Sequence, residues 1–421
     1  MPSKPKSKIM KISTGKGQIS LLALIAIWSV SAIVSLPGLA ISPILGDLNK
    51  IFPKASDLEI QMLTSLPSLL IIPFVLLAGH LSVGKDKIKI LVTGVVIFFL
   101  SGVACLFANS MTWLIVISCI LGIGAGMIVP LSTGLVVDYF TGDYRVRQLG
   151  IASAINNLTL VIATIVTGYL ATKHWHLPFL VYLLPGVTLL LTPLLHRQKS
   201  APEPKESDQL KNTKINLSRL LGLMVLYFLI TFAVLVVSYY VGFLVEEYKM
   251  SSSFSGLLIS LFFLAIMLPG FFINHIIGVL KGWSNIVSLA MMAIGLLLFG
   301  LGKSPGAMVI GSLMAGLGYG IMQPIIYDKT AIIAPPHLAT LALSYVMAVN
   351  YLAIVVCPFI IEGFRDLFHT KSELFPFILN GVISALMFVI ALLARRNWTL
   401  GLDESYYNSS ADTTQDQAEN A

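Results

Sequence analysis

Long apolar stretches separated by short polar ones dominate the pattern of the chain. A helix that crosses the hydrocarbon core of a bilayer needs about 20 consecutive, mostly apolar residues. Twelve stretches meet this requirement, six before a polar run near the middle of the chain and six after it. They predict spanning helices at 19–45, 58–82, 88–109, 112–138, 148–172, 177–195, 217–244, 254–279, 284–302, 306–327, 339–362 and 374–395.

The polar run reads HRQKSAPEPKESDQLKNTKINLSR and starts at residue 196. It carries six Lys or Arg residues and two prolines, a composition that cannot bury enough apolar surface to pack. We interpret most of it as a linker between two halves. The pattern therefore predicts a basic N-tail, a six-helix bundle, the linker, a second six-helix bundle and a disordered C-tail, at 1–18, 19–195, 196–216, 217–395 and 396–421.

Composition indicates an all-α integral membrane protein, because 56% of the residues are hydrophobic and only 11% are charged, against about 25% charged in soluble domains. The net charge of +7 does not indicate nucleic acid binding, since the lysines flank the apolar segments, where they orient the chain. If the basic N-tail is inside, the inner segments hold 20 Lys and Arg residues and the outer segments hold 7. Both termini are therefore predicted to be cytoplasmic, and the first segment is too long for a signal peptide.

The strongest internal signal is a repeat of the pattern GxGxGxxxP at an offset of 194 residues. It occurs in LGIGAGMIVP of the fourth segment and again in AGLGYGIMQP of the tenth. The same offset places Asn156 of the fifth segment onto Asn350 of the eleventh. Glycines of this kind let helix backbones approach closely. We assign a helix-packing role to the repeated positions, which are Gly122, Gly124, Gly126, Pro130, Gly316, Gly318, Gly320 and Pro324.

With two sets of six segments, a repeat and a loop reading GHLSVGKDKIKI after the second segment, the chain resembles the major facilitator superfamily, and within it the bacterial multidrug and organic-solute permeases. The resemblance covers about residues 18–396 and implies 12 transmembrane helices in two pseudo-symmetric six-helix bundles. The loop departs from the family's GxLxDRxGRR signature, since Val83 and Gly84 replace its aspartate and arginine. Ser118 replaces an arginine of the fourth helix, and the helix-five signature of drug–proton antiporters is absent.

The resemblance implies a central cavity near the bilayer midplane, which opens alternately to each side as one half rocks against the other. Polar side chains in the apolar segments are candidates for its lining, because an amide that faces lipid lacks hydrogen-bond partners. Bonding between helices is the alternative role for such groups. The candidates for solute contact are Asn156, Asn157, Asn350, Tyr351, Tyr319, Gln323 and Tyr239.

The resemblance also implies a conformational gate on the cytoplasmic side. Asp138 paired with Arg145 or Arg147 is one candidate for a closing ion pair. The loop after the second segment contributes the other gate positions, without the acidic latch of the family, because Val83 stands at the aspartate position. The residues assigned to the gate are Gly79, Lys85, Asp86, Lys87, Asp138, Arg145 and Arg147.

Charge is missing from the middle of every predicted helix, and intramembrane charges usually mark proton relays or anchors for charged solutes. The cavity is therefore expected to be neutral, and to suit a small amphipathic organic solute rather than a dense anion. We expect a secondary active transporter, in which a proton is the candidate coupling ion and no cofactor or metal is needed. The three cysteines, Cys105, Cys119 and Cys357, lie in apolar runs without metal-site spacing.

The sequence leaves three candidate functions open. Export of an amphipathic compound leads, and facilitated or proton-coupled uptake of a neutral nutrient or organic anion follows. A transporter-like receptor or lipid-moving protein shares the same features. A membrane enzyme is disfavoured, because the sequence has no HExxH motif, no paired carboxylates in mid-segment and no nucleotide-binding loop. We expect a monomer in the cell membrane of a bacterium, with a small organic solute and the lipid bilayer as its partners and no nucleic acid.

Overall fold

The computed structural model describes residues 11–41, 48, 51–53, 57–84, 86–171, 173–196, 215–250, 252–300 and 304–402. Most of these residues are helical, and a short hairpin of β1 (Lys11–Ser13) and β2 (Gln18–Ser20) precedes the first helix. The helices of the first half are α1 (Leu21–Ala32), α2 (Leu36–Leu39), α3 (Asp57–Gly84), α4 (Lys87–Cys105), α5 (Met111–Tyr139), α6 (Gly142–Ala171), α7 (Pro185–Leu191) and α8 (Pro193–His196). Those of the second half are α9 (Leu217–Glu247), α10 (Ser252–Leu280), α11 (Ser284–Leu298), α12 (Pro305–Ile333), α13 (Ala339–Leu367) and α14 (Phe375–Leu393).

Helices long and apolar enough to cross a membrane account for ten stretches of the described residues. One stretch, Phe254–Leu298, contains both α10 and α11 with a short 3₁₀ turn, Lys281–Trp283, between them. Helical residues occur in each of the twelve predicted segments, so the prediction of an all-helical, multi-pass membrane protein is confirmed. Most of the predicted linker, with the ends of both predicted tails, lies outside the described residues.

The first predicted segment is not one continuous helix. α1 ends at Ala32, and α2 begins at Leu36 with Pro37 in its first turn. A proline ring inside a helix has no N–H to donate and clashes with the carbonyl of the residue four positions earlier, which here is Ile33. The chain therefore breaks between the two helices, where its backbone needs other hydrogen-bond partners. Pro178, Pro185 and Pro193 divide the sixth segment in the same way, into a 3₁₀ helix (Leu177–Leu183), α7 and α8.

The repeated glycines make equivalent contacts in the two halves. A methyl group on Gly122 of α5 would meet the carbonyl oxygen of Pro67 in α3 at 2.7 Å, and one on Gly124 would meet that of Gly94 in α4 at 2.8 Å. In the second half, Gly316 of α12 lies against the backbone of α10, and a methyl group on Gly318 would meet the Ser288 carbonyl oxygen of α11 at 2.5 Å. Alternate glycines thus pack a central helix against two neighbours, because a side chain at any of these positions would separate the backbones.

Two large apolar cores follow the two halves of the chain. The first is built from residues between Ile19 and Leu195, with Met347 and Ala348 of α13 added to it. The second is built from residues between Leu220 and Ala391. A smaller cluster joins the halves, because it packs Val146 of α6 against residues of α10 and α12.

The halves touch where α6 crosses α10 and where α3 crosses α13. At the first crossing, Gly150 faces Gly270 so closely that a methyl group on Gly150 would meet the Gly270 carbonyl oxygen at 2.6 Å. At the second crossing, Gly79 lies against the side chain of Ser344. All of these positions lie in the parts of their helices nearest the predicted cytoplasmic ends. The halves are therefore packed together at the predicted cytoplasmic end.

Chain segments outside the long helices also pack at this end. The hairpin preceding α1 is tied to the turn between α5 and α6, where the Thr141 amide donates to the Thr14 carbonyl at 3.0 Å. After α14, Leu402 is buried in the small cluster between the halves. The prediction of a disordered tail from residue 396 is therefore wrong for residues 396–402, because buried side-chain partners hold this segment. Residues 403–421 lie outside the described part of the chain.

Candidate functional site

A cavity of about 90 Å³ lies between the two halves, near the middle of the long helices. Its walls come from α1, α5, α6, α12 and α13, together with the break between α1 and α2. Uncharged polar side chains and apolar side chains alternate around it. The lining residues are Ser31, Val34, Ser35, Val129, Ser132, Thr133, Leu149, Ala152, Ser153, Asn156, Gln323, Tyr327, Met347, Asn350 and Tyr351. None of these carries a charge, which agrees with the neutral cavity expected from the sequence.

Asn156 connects the cavity to the break after α1. Its Oδ1 accepts from the backbone amide of Ser35 at 3.1 Å, and its Nδ2 donates to the Ser35 hydroxyl at 2.8 Å. Backbone groups released by a helix break inside a membrane must find partners in the protein. Asn156 therefore stabilises the broken segment as well as lining the cavity.

A cluster of hydroxyl and amide groups forms the wall on the side of the second half. At its centre is the hydroxyl of Tyr227 in α9, which lies 2.7 Å from the Tyr327 hydroxyl. Gln323 and Asn350 each direct an amide nitrogen to the same oxygen, at 3.1 Å and 3.4 Å. The side chain of Tyr227 is fully buried, so it lies behind the residues that face the cavity.

A direct hydrogen bond joins the polar walls of the two halves. The hydroxyl of Ser153 in α6 donates to Oε1 of Gln323 in α12 at 2.6 Å. The bond lies between two lining residues, so a solute that fills the cavity competes for these same groups. Any motion that separates the halves here must break it.

The structure places some of the predicted solute contacts in the cavity lining and others away from it. Asn156, Asn350, Tyr351 and Gln323 line the cavity. The other three, Asn157, Tyr319 and Tyr239, are not among the residues that line it. Asn157 is buried and donates to the carbonyl of Ser153 in its own helix at 2.9 Å.

Tyr319 and Tyr239 are the other two predicted solute contacts that lie away from the cavity lining. Tyr319 is buried with its hydroxyl 3.4 Å from Thr231, in the second row behind the cavity wall. Tyr239 packs against the core of the second half. Tyr319 lies in α12, whose other face lines the cavity, whereas Tyr239 lies in α9, which contributes no residue to the lining.

A buried ion pair closes the predicted cytoplasmic end. Nε of Arg145, at the start of α6, lies 2.5 Å from Oδ1 of Asp328 in α12. The Asp328 side chain is only 2% exposed and that of Arg145 is 14% exposed. The pair therefore joins the two halves in a position largely shielded from water.

The predicted pairing of Asp138 with Arg145 or Arg147 is wrong. The Lys87 ammonium donates hydrogen bonds to both carboxylate oxygens of Asp138, at 2.9 Å and 2.8 Å. This pair links α4 to α5 within the first half. Arg145 turns instead toward Asp328 across the interface, while Arg147 is exposed.

The remaining gate positions have different surroundings. Gly79 is at the contact with α13, and Asp86 begins α4 by accepting from the Ile88 amide at 3.0 Å. This helix-capping role explains an acidic residue in the loop without an inter-half latch. Lys85 lies outside the described residues.

The sequence pattern did not identify Tyr227, Asp328 or the serines of the lining. Asp328 was visible as an acid at an inner helix end, but nothing in the pattern indicated its partner. Tyr227 is one of several tyrosines in apolar segments and has no counterpart in the repeat. Its hydroxyl in an otherwise apolar part of the ninth helix was the one available signal, since a buried hydroxyl needs a partner.

Solved structures of transporters share this fold. The human organic anion transporter MFSD10 (TETRAN) superposes with a TM-score of 0.67 at 17% identity, over 88% of this chain and 97% of that one. The proton:xylose symporter XylE gives a TM-score of 0.69 at 15% identity, over 88% and 94% of the two chains. FucP in its outward conformation gives 0.68 at 13% identity, over 88% and 97%. At such identities the similarity shows the fold alone.

Sequence relatives are similar over shorter stretches. The multidrug transporter protein MdtP of Bacillus subtilis (strain 168) is 30% identical over 169 residues, which cover 39% of this chain and 30% of that protein. The niacin transporter NiaP of Acinetobacter baylyi (strain ATCC 33305 / BD413 / ADP1) is 30% identical over 112 residues, covering 26% and 25%. The matched regions thus span less than a third of either relative.

The family model described as Major Facilitator Superfamily matches residues 19–358 and again residues 223–401. Together the two matches cover nearly all of the described helices, and the second begins in α9, where the repeat begins again. With the fold shared by the solved transporters and the cavity between two packed halves, the chain belongs to the Major Facilitator Superfamily, as the sequence pattern predicted.

Proposed function

We propose that this protein is a secondary active transporter, with twelve spanning helices in two six-helix bundles, that moves a small, uncharged, amphipathic organic solute by alternating access. The uncharged lining of the cavity between the halves is the observation that carries the proposal. Its serine, amide and tyrosine groups suit a neutral polar head group. Val34, Val129 and Leu149 suit an apolar body on the same molecule.

Alternating access requires that the packed end of the molecule open. The cavity of about 90 Å³ is smaller than the pockets of roughly 300 Å³ or more that hold drug-sized ligands. A larger solute therefore enters or leaves only when the halves separate. The contacts that must release are the crossings at Gly79 and Gly150 and the ion pair of Arg145 with Asp328.

Export is the direction that we propose first, and similarity to part of a multidrug transporter supports it. Uptake of a neutral nutrient or organic anion is the second candidate. The many hydrogen-bonding groups of the lining favour it, as does similarity to part of a niacin transporter. The two candidates differ in the side from which flux is driven and in the polarity of the preferred solute.

A proton gradient is the driving force that we propose. The lining contains no acid, so the titrating group must lie elsewhere. We further propose a monomer in the cell membrane with both termini in the cytoplasm.

Flux measurements in proteoliposomes test the proposal, using a mixed library of neutral amphipathic and polar solutes with and without an imposed pH gradient. We expect flux of amphipathic compounds that falls when the gradient is collapsed. Gradient-independent flux of a neutral polar solute alone would refute the proton-coupled exporter and favour the uptake reading. Absence of flux for every solute would refute a transporter of this solute class.

A matched pair of variants connects the flux to the cavity. Ala152→Trp places an indole ring in the cavity lining, whereas Ile162→Trp places the same ring ten residues further along α6, where the side chain is 53% exposed. We expect the first variant to abolish flux and the second to retain it. Equal flux through both would mean that the solute takes another path.

A further inference from the structure

The hydroxyl of Tyr227 is the convergence point of a hydrogen-bonding cluster behind the cavity wall. Four side-chain polar groups approach its oxygen, from Tyr327 at 2.7 Å, Gln323 at 3.1 Å, Asn350 at 3.4 Å and Tyr319 at 3.5 Å. Three of these residues, Tyr327, Gln323 and Asn350, line the cavity, and Tyr227 itself does not. Its position therefore influences the wall without contacting the solute.

The directions of these bonds follow from which groups can donate. An amide nitrogen donates and does not accept, whereas a phenolic hydroxyl donates one proton and accepts at its oxygen. Gln323 and Asn350 must therefore donate to Tyr227. Of the two tyrosine hydroxyls that remain, Tyr319 at 3.5 Å donates to Tyr227, so we assign the Tyr227 proton to Tyr327, at 2.7 Å.

The same reasoning gives the directions of the hydrogen bonds at Tyr327. Its oxygen accepts from Tyr227 and also from Nε2 of Gln323 at 3.4 Å. With both bonds arriving at its oxygen, the hydroxyl proton of Tyr327 has no protein acceptor among the described residues. It is therefore left for an acceptor on a molecule bound in the cavity that Tyr327 lines.

Asn350 presents the complementary group. Its Nδ2 is held by Tyr227, and its Oδ1 is buried without a hydrogen-bond partner among the described residues. A buried acceptor without a partner carries a free-energy penalty, which a donor on a bound molecule removes. One buried hydroxyl therefore orients both a donor and an acceptor in the same wall.

We infer that Tyr227 is a positioning residue that sets the solute specificity, by orienting Tyr327 as a donor and Asn350 as an acceptor. The cavity then selects an uncharged solute whose head group both donates and accepts hydrogen bonds, such as a primary carboxamide or a hydroxyl. The apolar body of the solute lies against Val34 and Leu149 on the opposite wall. This inference rests on the proposed function, which it narrows to a class of head group.

Two probes that differ only in donor capacity test the inference. Benzamide carries a carbonyl acceptor and an amide donor, whereas N,N-dimethylbenzamide keeps the acceptor and has no donor. Dissociation constants are obtained from the concentration dependence of thermal stabilisation of the full-length protein in detergent. We expect wild-type protein to bind benzamide about fivefold more tightly, the size of effect that one hydrogen bond produces.

Variants then separate positioning from stability. In Tyr227→Phe, and in Asn350→Ala, we expect the ratio of the two dissociation constants to fall to about one. Tyr182→Phe is the matched control, because Tyr182 is also fully buried and loses a single hydroxyl bond, to the Pro37 carbonyl at 3.4 Å, away from the cavity. We expect it to retain the wild-type ratio, whatever its effect on the unfolding midpoint.

Several outcomes would overturn the inference. They are binding of neither probe by wild-type protein, equal affinity of wild-type protein for both probes, or an unchanged ratio in Tyr227→Phe. If Tyr227→Phe does not unfold cooperatively, the ratio in Asn350→Ala decides. Failure of the proposed function is recognised separately, because wild-type proteoliposomes would then show no flux for any solute in the mixed library, whereas failure of this inference leaves that flux intact.

Discussion

The crossing of α6 and α10 allows the closed end of the molecule to be perturbed by a single methyl group. In Gly150→Ala, the new Cβ would lie 2.6 Å from the Gly270 carbonyl oxygen and 2.9 Å from Cγ2 of Ile273. Contacts this short do not occur between non-bonded atoms, so the two helices must move apart. Overpacking of this kind costs about 1–3 kcal/mol. The cost falls on the conformation in which the halves are packed, because the two glycines meet only there.

A penalty of about 1–3 kcal/mol changes the ratio of two conformations roughly 5- to 150-fold. We therefore expect Gly150→Ala to shift the protein toward the conformation that is open at the predicted cytoplasmic end. Gly278→Ala is the control, since this glycine lies in α10, the partner of α6 at the crossing, and a methyl group there would meet no atom within 4 Å. Substituting alanine in an open helical position is neutral or slightly stabilising.

The assay is labelling of a cysteine in the cavity wall by a membrane-impermeant thiol reagent. Ala152→Cys supplies the target, in a background where Cys119 is replaced by serine because it is only partly buried. Labelling is compared between right-side-out and inside-out vesicles. We expect Gly150→Ala to raise labelling from the cytoplasmic face at least about fivefold. The same labelling in Gly150→Ala and Gly278→Ala would refute the reasoning, because it would mean that this crossing does not hold the halves together.

Three further predictions concern stability, measured as thermal unfolding in detergent. Arg145→Ala leaves a buried carboxylate without its ion-pair partner and should destabilise the protein by about 3–5 kcal/mol, whereas Arg147→Ala, at an exposed position, should change stability by less than about 0.5 kcal/mol. Leu402→Ala removes a buried side chain from the cluster between the halves and should cost about 2–5 kcal/mol; Leu217→Ala, at a position 65% exposed, should cost much less, and equal losses would contradict the packing of the C-terminal segment. Asn156→Ala leaves the backbone break after α1 without its side-chain cap and should cost about 1–3 kcal/mol, and an unchanged midpoint would show that another group caps the break.

The helical membrane fold could be predicted from the sequence because each segment is long and apolar, and because the glycine repeat marks equivalent packing positions. The rotation of each helix about its own axis could not be predicted from the sequence. In a soluble helix the polar face shows which side points outward, but a spanning helix is apolar toward lipid and toward its neighbours alike. Asn156 and Asn157 illustrate the consequence, since successive residues differ by about 100° around a helix, and only the first faces the cavity.

The prediction for the C-terminal end of the chain failed for a different reason, because it relied on polar composition. Residues 398–402 look like the start of a disordered tail, but their backbone carbonyls are acceptors for a buried cation. Lys329 is fully buried, and its ammonium donates to the carbonyls of Trp398 and Gly401, each at 2.5 Å. Backbone groups do not appear in a composition profile, so this interaction left no mark in the sequence.

The distance along the chain between Lys329 and these carbonyls affects how the protein is made. The acceptors are 69 and 72 residues downstream of the lysine, with α13 and α14 in between. At a synthesis rate of about 5–20 residues per second, roughly 4–14 s pass between translation of the lysine and translation of the carbonyls that receive it. The inner end of α12 therefore takes its final surroundings only after α14 has left the ribosome, and we expect assembly of this part of the molecule to be among the later steps of its biogenesis.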